Sequence, residues 1–200
     1  MAWSTADLLR CAAGAVPASL DGYFCVQRAQ AFRRSFAGAE FAPSRACLQE
    51  AVTRDPLYAE AWAMLGWIDV MGSNFGYTDA PFSEVSDRAL QYATRAYRLE
   101  PDNPRALTVM SVVHHDRGDV AEGERFVRES LARNPHDPSV LIRPGWRLTI
   151  RGAFDEGLPY VDQAIARSAN PPGWYYLPYA LDRFMAGDGP GIVKVGSAGL

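Results

Sequence analysis

The sequence contains no apolar run close to the roughly 20 residues that a membrane-spanning helix requires, so no membrane partner is expected. It also lacks a basic stripe: the formal net charge is -3, which disfavours a nucleic-acid partner because phosphate backbones are bound by clustered Lys and Arg. The N-terminal stretch is interrupted by Asp7, and no Lys or Arg precedes it. It therefore predicts a helix over residues 1–16 and not a signal peptide.

Cysteine is scarce: the chain of 200 residues has three, Cys11, Cys25 and Cys47. Their spacings of 14 and 22 residues match no metal-binding or redox motif, and an odd number argues against a disulfide framework. We therefore interpret all three as reduced, small apolar side chains within helices. Reduced thiols are typical of the cytoplasm, which is the location we predict.

Catalytic and cofactor-binding motifs are missing as well: there is no GxSxG, no P-loop and no GxGxxG after a strand. His114, His115 and Asp116 are adjacent, but neighbouring helical residues point about 100° apart and do not readily share one metal. The sequence therefore predicts that the protein is not an enzyme and that it binds neither a cofactor nor a metal ion. A stand-alone enzyme remains the alternative from a different class, and it would need a deep polar pocket of converging titratable side chains.

What the chain does contain is a regular spacing. Pro101, Pro135 and Ala169 follow one another at intervals of 34 residues, and the interval from Pro56 to Pro101 is 45, or 34 plus 11. Such a period predicts stacked helix–turn–helix repeats, in which neighbouring units bury a continuous apolar core. The 11 extra residues fall in the stretch MGSNFGYTDAPFSE and are predicted to leave the stack as a loop.

One segment, AEAWAMLGW, places Trp62, Leu65 and Gly66 at positions 4, 7 and 8 of its repeat. Together with the period, this pattern resembles the tetratricopeptide repeat family over roughly residues 21–187. Asp69 stands where that family usually has an aromatic residue. The resemblance implies an all-α superhelix of about three to four helix–turn–helix units that acts as a protein-interaction scaffold.

The predicted repeat domain covers residues 1–187. Its units are residues 21–58, 59–103, 104–137 and 138–171, with a half unit at 172–187. Residues 188–200 are expected to form an irregular tail, because four glycines and one proline oppose a helix. Since the half unit would lack its second helix, we expect another molecule, most simply a second copy of this chain, to cover the Trp174–Phe184 helix. The alternative cover is the chain's own tail, Ile192–Val195, folded back over this helix.

Local signals predict the helix boundaries within the units. Residues 37–43, AGAEFAP, are predicted as a turn that is followed by a helix at 44–54. Further helices are expected at 57–71 and at 83–99, the latter capped near Ser83. Pro144 and Pro159 fall inside predicted helices that we keep, with an expected distortion, because the period continues through both.

A narrower resemblance is to the repeat regions at the C-terminal end of bacterial adenylate cyclases and winged-helix transcription regulators. It rests on Leu20, Asp21 and Tyr23, on RACLQEAVTRDPLYAEAWAMLGW and on PPGWYYLPYALDRFMAGD. It implies an alternative function as the regulatory or sensor region of such a signalling protein. A catalytic or winged-helix segment upstream in the full gene would distinguish the two functions.

In the tetratricopeptide family, the first helix of each unit lines a concave groove. Members that grip a peptide carboxylate use Lys, Arg and Asn at positions where this chain has apolar or aromatic residues, such as Trp67 and Trp146. The resemblance therefore implies an apolar or aromatic-anchored peptide or protein segment as ligand, with Trp67, Trp146 and Tyr179 on one surface. The alternative occupant is the chain's own N-terminal helix or tail. The predicted groove residues are Trp67, Met71, Thr108, Val112, His115, Ile142, Trp146, Tyr175, Tyr179 and Arg183.

Overall fold

The computed structural model describes residues 20–198. In this range the chain forms ten α-helices, one short 3-10 helix and no strand, which confirms the predicted all-α class. The α-helices are α1 (Leu20–Ser35), α2 (Gly38–Arg54), α3 (Ala59–Asn74), α4 (Phe82–Leu99), α5 (Pro104–Asp116), α6 (Val120–Arg133), α7 (Pro138–Thr149), α8 (Phe154–Ala166), α9 (Leu177–Met185) and α10 (Gly189–Ala198). The 3-10 helix, Gly173–Tyr176, directly precedes α9. None of the helices in the described range has the length and apolar composition to cross a bilayer.

The described residues fall into two compact bodies. The N-terminal body comprises residues 20–32 and 36–123, and the C-terminal body comprises residues 33–35 and 124–198. The predicted helix over 1–16 and Cys11 lie outside the described residues.

Helix α3 forms the centre of the N-terminal body. Eleven of its sixteen residues are buried, and helices α2, α4 and α5 all pack against it. Gly66 allows α4 to come close: a Cβ added there would lie 3.0 Å from the carbonyl oxygen of Ala89 and 3.3 Å from the backbone nitrogen of Ala93. The small residues of this repeat therefore determine how closely its two helices approach.

The turns between helices use the chemistry that the repeat pattern predicts. Gly118, Gly152 and Gly187 have φ values of +82°, +82° and +71°, a backbone conformation that favours glycine after a helix. Two of the helices, α5 and α7, begin with a side-chain cap. The side chain of Asn103 accepts hydrogen bonds from the N–H groups at the start of α5, and Asp137 does the same for α7.

The turn predicted at residues 37–43 is wrong, because α2 already begins at Gly38 and includes Pro43. Phe36 makes the short connection possible by adopting a left-handed φ of 50°, with its N–H donated to the carbonyl oxygen of Phe32 at 2.7 Å. The predicted cap at Ser83 is also wrong. Helix α4 begins one residue earlier, after Pro81, without a side-chain cap.

Helices α7 and α8 continue through Pro144 and Pro159, as predicted. Each proline removes one backbone hydrogen bond, and such a loss must be offset by packing. The two helices meet where both carry glycine. A Cβ on Gly145 would lie 2.7 Å from a methyl group of Val161 and 3.2 Å from the carbonyl oxygen of Gly157.

The irregular tail predicted for residues 188–200 is wrong over most of its length, since α10 spans Gly189–Ala198. Asp188 starts the helix: its Oδ1 accepts the N–H of Gly191 at 2.9 Å and its carbonyl oxygen accepts that of Ile192 at 3.1 Å. Pro190 lies in the first turn, where its missing N–H costs no hydrogen bond. Helix α10 packs against α9, so the last unit has its second helix and the argument for a dimer that rested on a missing helix no longer holds.

The interpretation of Cys25 and Cys47 as reduced thiols is also wrong. The two form a disulfide that joins α1 to α2, with their Cα atoms 5.2 Å apart. A 22-residue spacing is no recognisable motif, and only the folding of the helix pair brings the two sulfurs together. Because disulfides persist in oxidising compartments, the cysteine argument for a cytoplasmic location is withdrawn.

The disulfide leads to a first prediction. Reduction should lower the free energy of unfolding by about 3 kcal/mol, since the bridge closes a loop of 22 residues in the unfolded chain. Urea unfolding followed by circular dichroism, with and without a thiol reductant, measures the change. A Cys47→Ser variant should be insensitive to the reductant, whereas Cys11→Ser should respond like the wild type. Equal stability of the reduced and oxidised wild type would contradict the prediction.

Candidate functional site

An aromatic cluster lies in the N-terminal body around Trp67 of α3. The Trp67 ring is 6.1 Å from the Phe32 ring and 6.0 Å from the Phe36 ring, measured between centroids. Only 3% of Trp67 is exposed, and its buried indole N–H has no acceptor among the described residues. Trp67 is therefore held by ring packing and forms the floor of the cluster.

The loop between α3 and α4 supplies the upper part of the cluster. A loop does form in the predicted stretch, but it comprises only residues 75–81, because α3 extends to Asn74 and α4 begins at Phe82, and it folds back over the helices. The Tyr77 hydroxyl donates a hydrogen bond to the carbonyl oxygen of Phe36 at 2.7 Å, and the Tyr77 ring stacks on Phe75 at 5.8 Å. Gly38 lies directly beneath: a Cβ added there would be 3.0 Å from the Tyr77 ring.

The cluster presents aromatic surface to solvent. Phe75 is 49% exposed, and its centroid lies 4.9 Å from that of Phe36, which is partly exposed. We call Phe36, Trp67, Phe75 and Tyr77 the aromatic platform. Its exposed rings rest on buried rings, and its loop is fixed by a hydrogen bond, so the surface is formed in advance of any ligand.

Phe36 reaches the platform at a conformational cost. Among the described residues it is the only one other than glycine with a positive φ, and such strain costs on the order of 1–3 kcal/mol. The left-handed turn directs the Phe36 carbonyl to the Tyr77 hydroxyl and its ring to Phe75. Backbone strain of this kind is often found at binding sites.

The other predicted groove residues of the N-terminal body contribute little exposed surface. Met71 is partly exposed, while Thr108 and Val112 are 7% and 8% exposed. The His115 ring packs against α6, where a Cβ on Gly123 would lie 2.7 Å from it, and its Nδ1 is 3.3 Å from the Ser111 hydroxyl. His115 is thus buried where α5 packs against α6 and offers little surface to a ligand.

In the C-terminal body, Ile142 and Tyr175 belong to a buried cluster, whereas Trp146 is partly exposed and Arg183 is exposed. The Tyr179 hydroxyl donates to Asp162; burial and this carboxylate together raise the pKa of Tyr179. Burial is also the main cause that raises the pKa of Tyr175. The common surface predicted for Trp67, Trp146 and Tyr179 involves both bodies and stays a prediction.

A buried charge appears where the sequence departed from the repeat pattern. Asp69 is 1% exposed, and its Oδ1 accepts from Arg45 Nε at 2.5 Å while its Oδ2 accepts from Arg88 Nε at 2.6 Å. Burial acts to lower the pKa of Arg88, but the hydrogen bond and charge of Asp69 outweigh it and raise that pKa. The unusual acidic residue was visible in the sequence, but its two partners, 24 and 19 residues away, were not.

The described residues hold no group of three or more His, Cys, Asp or Glu side chains arranged to bind a metal ion. The only titratable side chain of the aromatic platform is the Tyr77 phenol, which donates to a backbone carbonyl. The platform is therefore suited to binding through ring contacts and not to acid–base chemistry.

Comparison with known proteins supports the fold. No model of a known protein family matches the sequence. A TPR repeat-containing protein of Pseudomonas aeruginosa is 33% identical over 60 residues, which is 30% of this chain and 10% of that protein. The chain thus covers about a tenth of its curated relative.

Many solved structures are similar to the chain, and two of them illustrate the likeness. One is the APC/C heterotetramer Cut9–Hcn1, with a TM-score of 0.60 and 14% identity over 78% of this chain and 29% of that one. The other is the human IFIT1 dimer with PPP-AAAA, with a TM-score of 0.60 and 20% identity over 80% of this chain and 36% of that one. At these identities the likeness shows the fold alone. The predicted resemblance to tetratricopeptide repeat proteins is confirmed at that level, and the chain has their helical-solenoid fold.

The strain at Phe36 can be measured by a pair of substitutions. Phe36→Ala and Phe36→Gly both remove the ring, but only glycine adopts a φ of 50° without a steric cost. We expect Phe36→Gly to be more stable than Phe36→Ala by about 1 kcal/mol in urea unfolding. If the alanine variant is as stable as the glycine variant, the turn is not strained.

The buried Asp69 can be compared with a more exposed counterpart. Glu129 in α6 also lies between two arginines, Arg125 and Arg133, each at 3.1 Å, but its side chain is 21% exposed and both arginines are at least 40% exposed. Asp69→Ala should cost about 3 kcal/mol, because it leaves two partly buried cations without their counter-charge. Glu129→Ala should cost less than about 1 kcal/mol. Urea unfolding measures both, and equal losses would show that the Asp69 network is not central to stability.

Proposed function

We propose that this chain is a protein-interaction module whose aromatic platform binds a peptide or protein segment through an apolar or aromatic anchor. The observation that carries the proposal is the exposed Phe75, whose ring packs at a tilt against Phe36, which in turn contacts the buried Trp67. Exposed aromatic rings on a rigid base are the surfaces from which interfaces gain most of their binding energy. The helical-solenoid fold is typical of proteins that serve as binding scaffolds.

The rigidity of the platform supports this function physically. A binding surface that must order itself on contact loses affinity to conformational entropy. Here the loop is fixed by the hydrogen bond from Tyr77 to Phe36, and the adjacent helix is held by Phe41, whose ring occupies the space that a Cβ on Gly72 would need. The platform therefore offers its rings with little further ordering.

The alternative functions have less structural support. A regulatory or sensor region of a bacterial adenylate cyclase or transcription regulator follows from the narrower sequence resemblance alone. An enzyme would need titratable groups converging on the platform, where Tyr77 is the only one. A homodimer through the Trp174–Phe184 helix was predicted from a missing second helix, and α10 now fills that place.

The proposal is tested by selecting binders from a random peptide library displayed on phage and measuring the selected peptides by calorimetry. Phe75→Ala should weaken binding about 30-fold, since a central aromatic contact is worth about 2 kcal/mol. Phe82→Ala is the matched control, because Phe82 is equally exposed, at 48%, but makes no ring contact with the platform. We expect the control to bind like the wild type.

Two results would contradict the proposal: a selection that yields no binders, or binders that lose equal affinity with both variants. A variant lacking residues 1–19 separates the external ligand from the alternative occupant named by the sequence. If the chain's own N-terminal segment occupies the platform, the truncated variant should bind the selected peptides more tightly than the full chain does.

A further inference from the structure

A second surface of the N-terminal body has different chemistry from the platform. A pocket of about 340 Å³ lies where helices α2, α3 and α4 meet the loop before α4. Its volume is at the lower end of the range found for small-molecule sites. Arg45, Asp69 and Arg88 form its charged wall, and the loop residue Thr78 contributes a hydroxyl group.

The two guanidinium groups of the charged wall have more N–H donor groups than the neighbouring carboxylates accept. Asp69 uses both carboxylate oxygens on the two Nε atoms, with a longer contact of 3.4 Å from Arg45 Nη2. Arg88 Nη1 donates to Glu84 at 3.3 Å. Arg45 Nη1 and Arg88 Nη2 have no acceptor among the described residues. The two guanidinium groups are matched by two carboxylates, Asp69 and the largely exposed Glu84, so the wall offers two open N–H donor groups and no excess of charge.

Besides the charged wall, Gln49 and Thr78, the residues that line the pocket are apolar and mostly small. Ala42 and Ala46, one turn apart on α2, line it together with the ring of Phe41. A site with a few convergent polar groups and an apolar wall selects a ligand that carries one charged group on a compact apolar body. Guanidinium groups are the best match for the paired oxygens of a carboxylate or phosphate.

We propose that this pocket binds a small organic oxyanion, a carboxylate or a phosphate ester, through Arg45 and Arg88. Asp69 acts as a positioning residue: it holds both guanidinium groups by their Nε atoms, and Arg45 Nη1 and Arg88 Nη2 are left to donate to the ligand. The apolar body of the ligand contacts Phe41, Ala42 and Ala46. This pocket is separate from the aromatic platform, and the inference does not depend on the proposed function.

The test uses inorganic phosphate and succinate as probes for the two sources of the oxyanion. Thermal unfolding is followed while each anion is titrated at constant ionic strength against chloride. A ligand that binds the folded state raises the unfolding midpoint in a saturable way, and we expect this for at least one of the two anions. A response to phosphate alone identifies a phosphate group, and a response to succinate alone identifies a carboxylate.

Two variants make the test specific to the pocket. Ala46→Phe places a large side chain in the pocket while keeping Arg45, Asp69 and Arg88, and it should weaken the apparent affinity at least about tenfold. Ala132→Phe, at an exposed position on α6 in the C-terminal body, is its control and should respond like the wild type. Arg88→Lys keeps the charge but loses the planar fork, and it should also weaken binding about tenfold.

The proposal is overturned if neither anion stabilises the wild type beyond chloride, or if Ala46→Phe responds to the anions as the wild type does. Phe75→Ala should leave the anion response unchanged. A failure of the peptide selection and a failure of the anion titration are therefore separate results, and each bears on its own site.

Discussion

The pairing of one buried carboxylate with two arginines is the interaction on which the N-terminal body depends most. Asp69 lies in the most buried helix, and its partners come from the helices on either side, Arg45 from α2 and Arg88 from α4. A charge removed from water is costly unless it is paired and hydrogen-bonded, so this position fixes the arrangement of three helices as well as stabilising it. A shift of either neighbouring helix would leave a charge unpaired in the interior.

Helix α3 also explains why two surfaces of different chemistry occur in one small body. Trp67 and Asp69 are two residues apart, so their side chains point about 200° apart around the helix. Trp67 directs its ring to α1 and to the aromatic platform, while Asp69 directs its carboxylate to α2, α4 and the pocket. The two surfaces therefore share one rigid support and are neighbours, since Phe41, which lines the pocket, also packs against the Tyr77 ring of the platform at 5.8 Å.

The local structure predicted from residue composition was wrong where specific tertiary contacts outweighed the conformational preferences of the residues. Residues 188–200 are rich in glycine, but Asp188 provides both a side-chain and a backbone acceptor for the first turn, and α9 provides a helix to pack against. The glycine penalty of about 1 kcal/mol per residue is a preference that tertiary contacts can override. At Phe36, a ring contact and a hydrogen bond hold a non-glycine residue in a conformation that glycine usually adopts.

The sequence by itself determined the repeat architecture, because a 34-residue period and turn glycines such as Gly118 and Gly152 are local and periodic signals. It also located Trp67 and the loop that follows α3, both of which belong to the aromatic platform. It could not show that Tyr77 folds back onto Phe36, that Cys25 meets Cys47, or that Arg45 and Arg88 converge on Asp69. These contacts join residues that are 19 to 41 positions apart in the chain. Helix packing determines which residues meet, and no local sequence pattern indicates it.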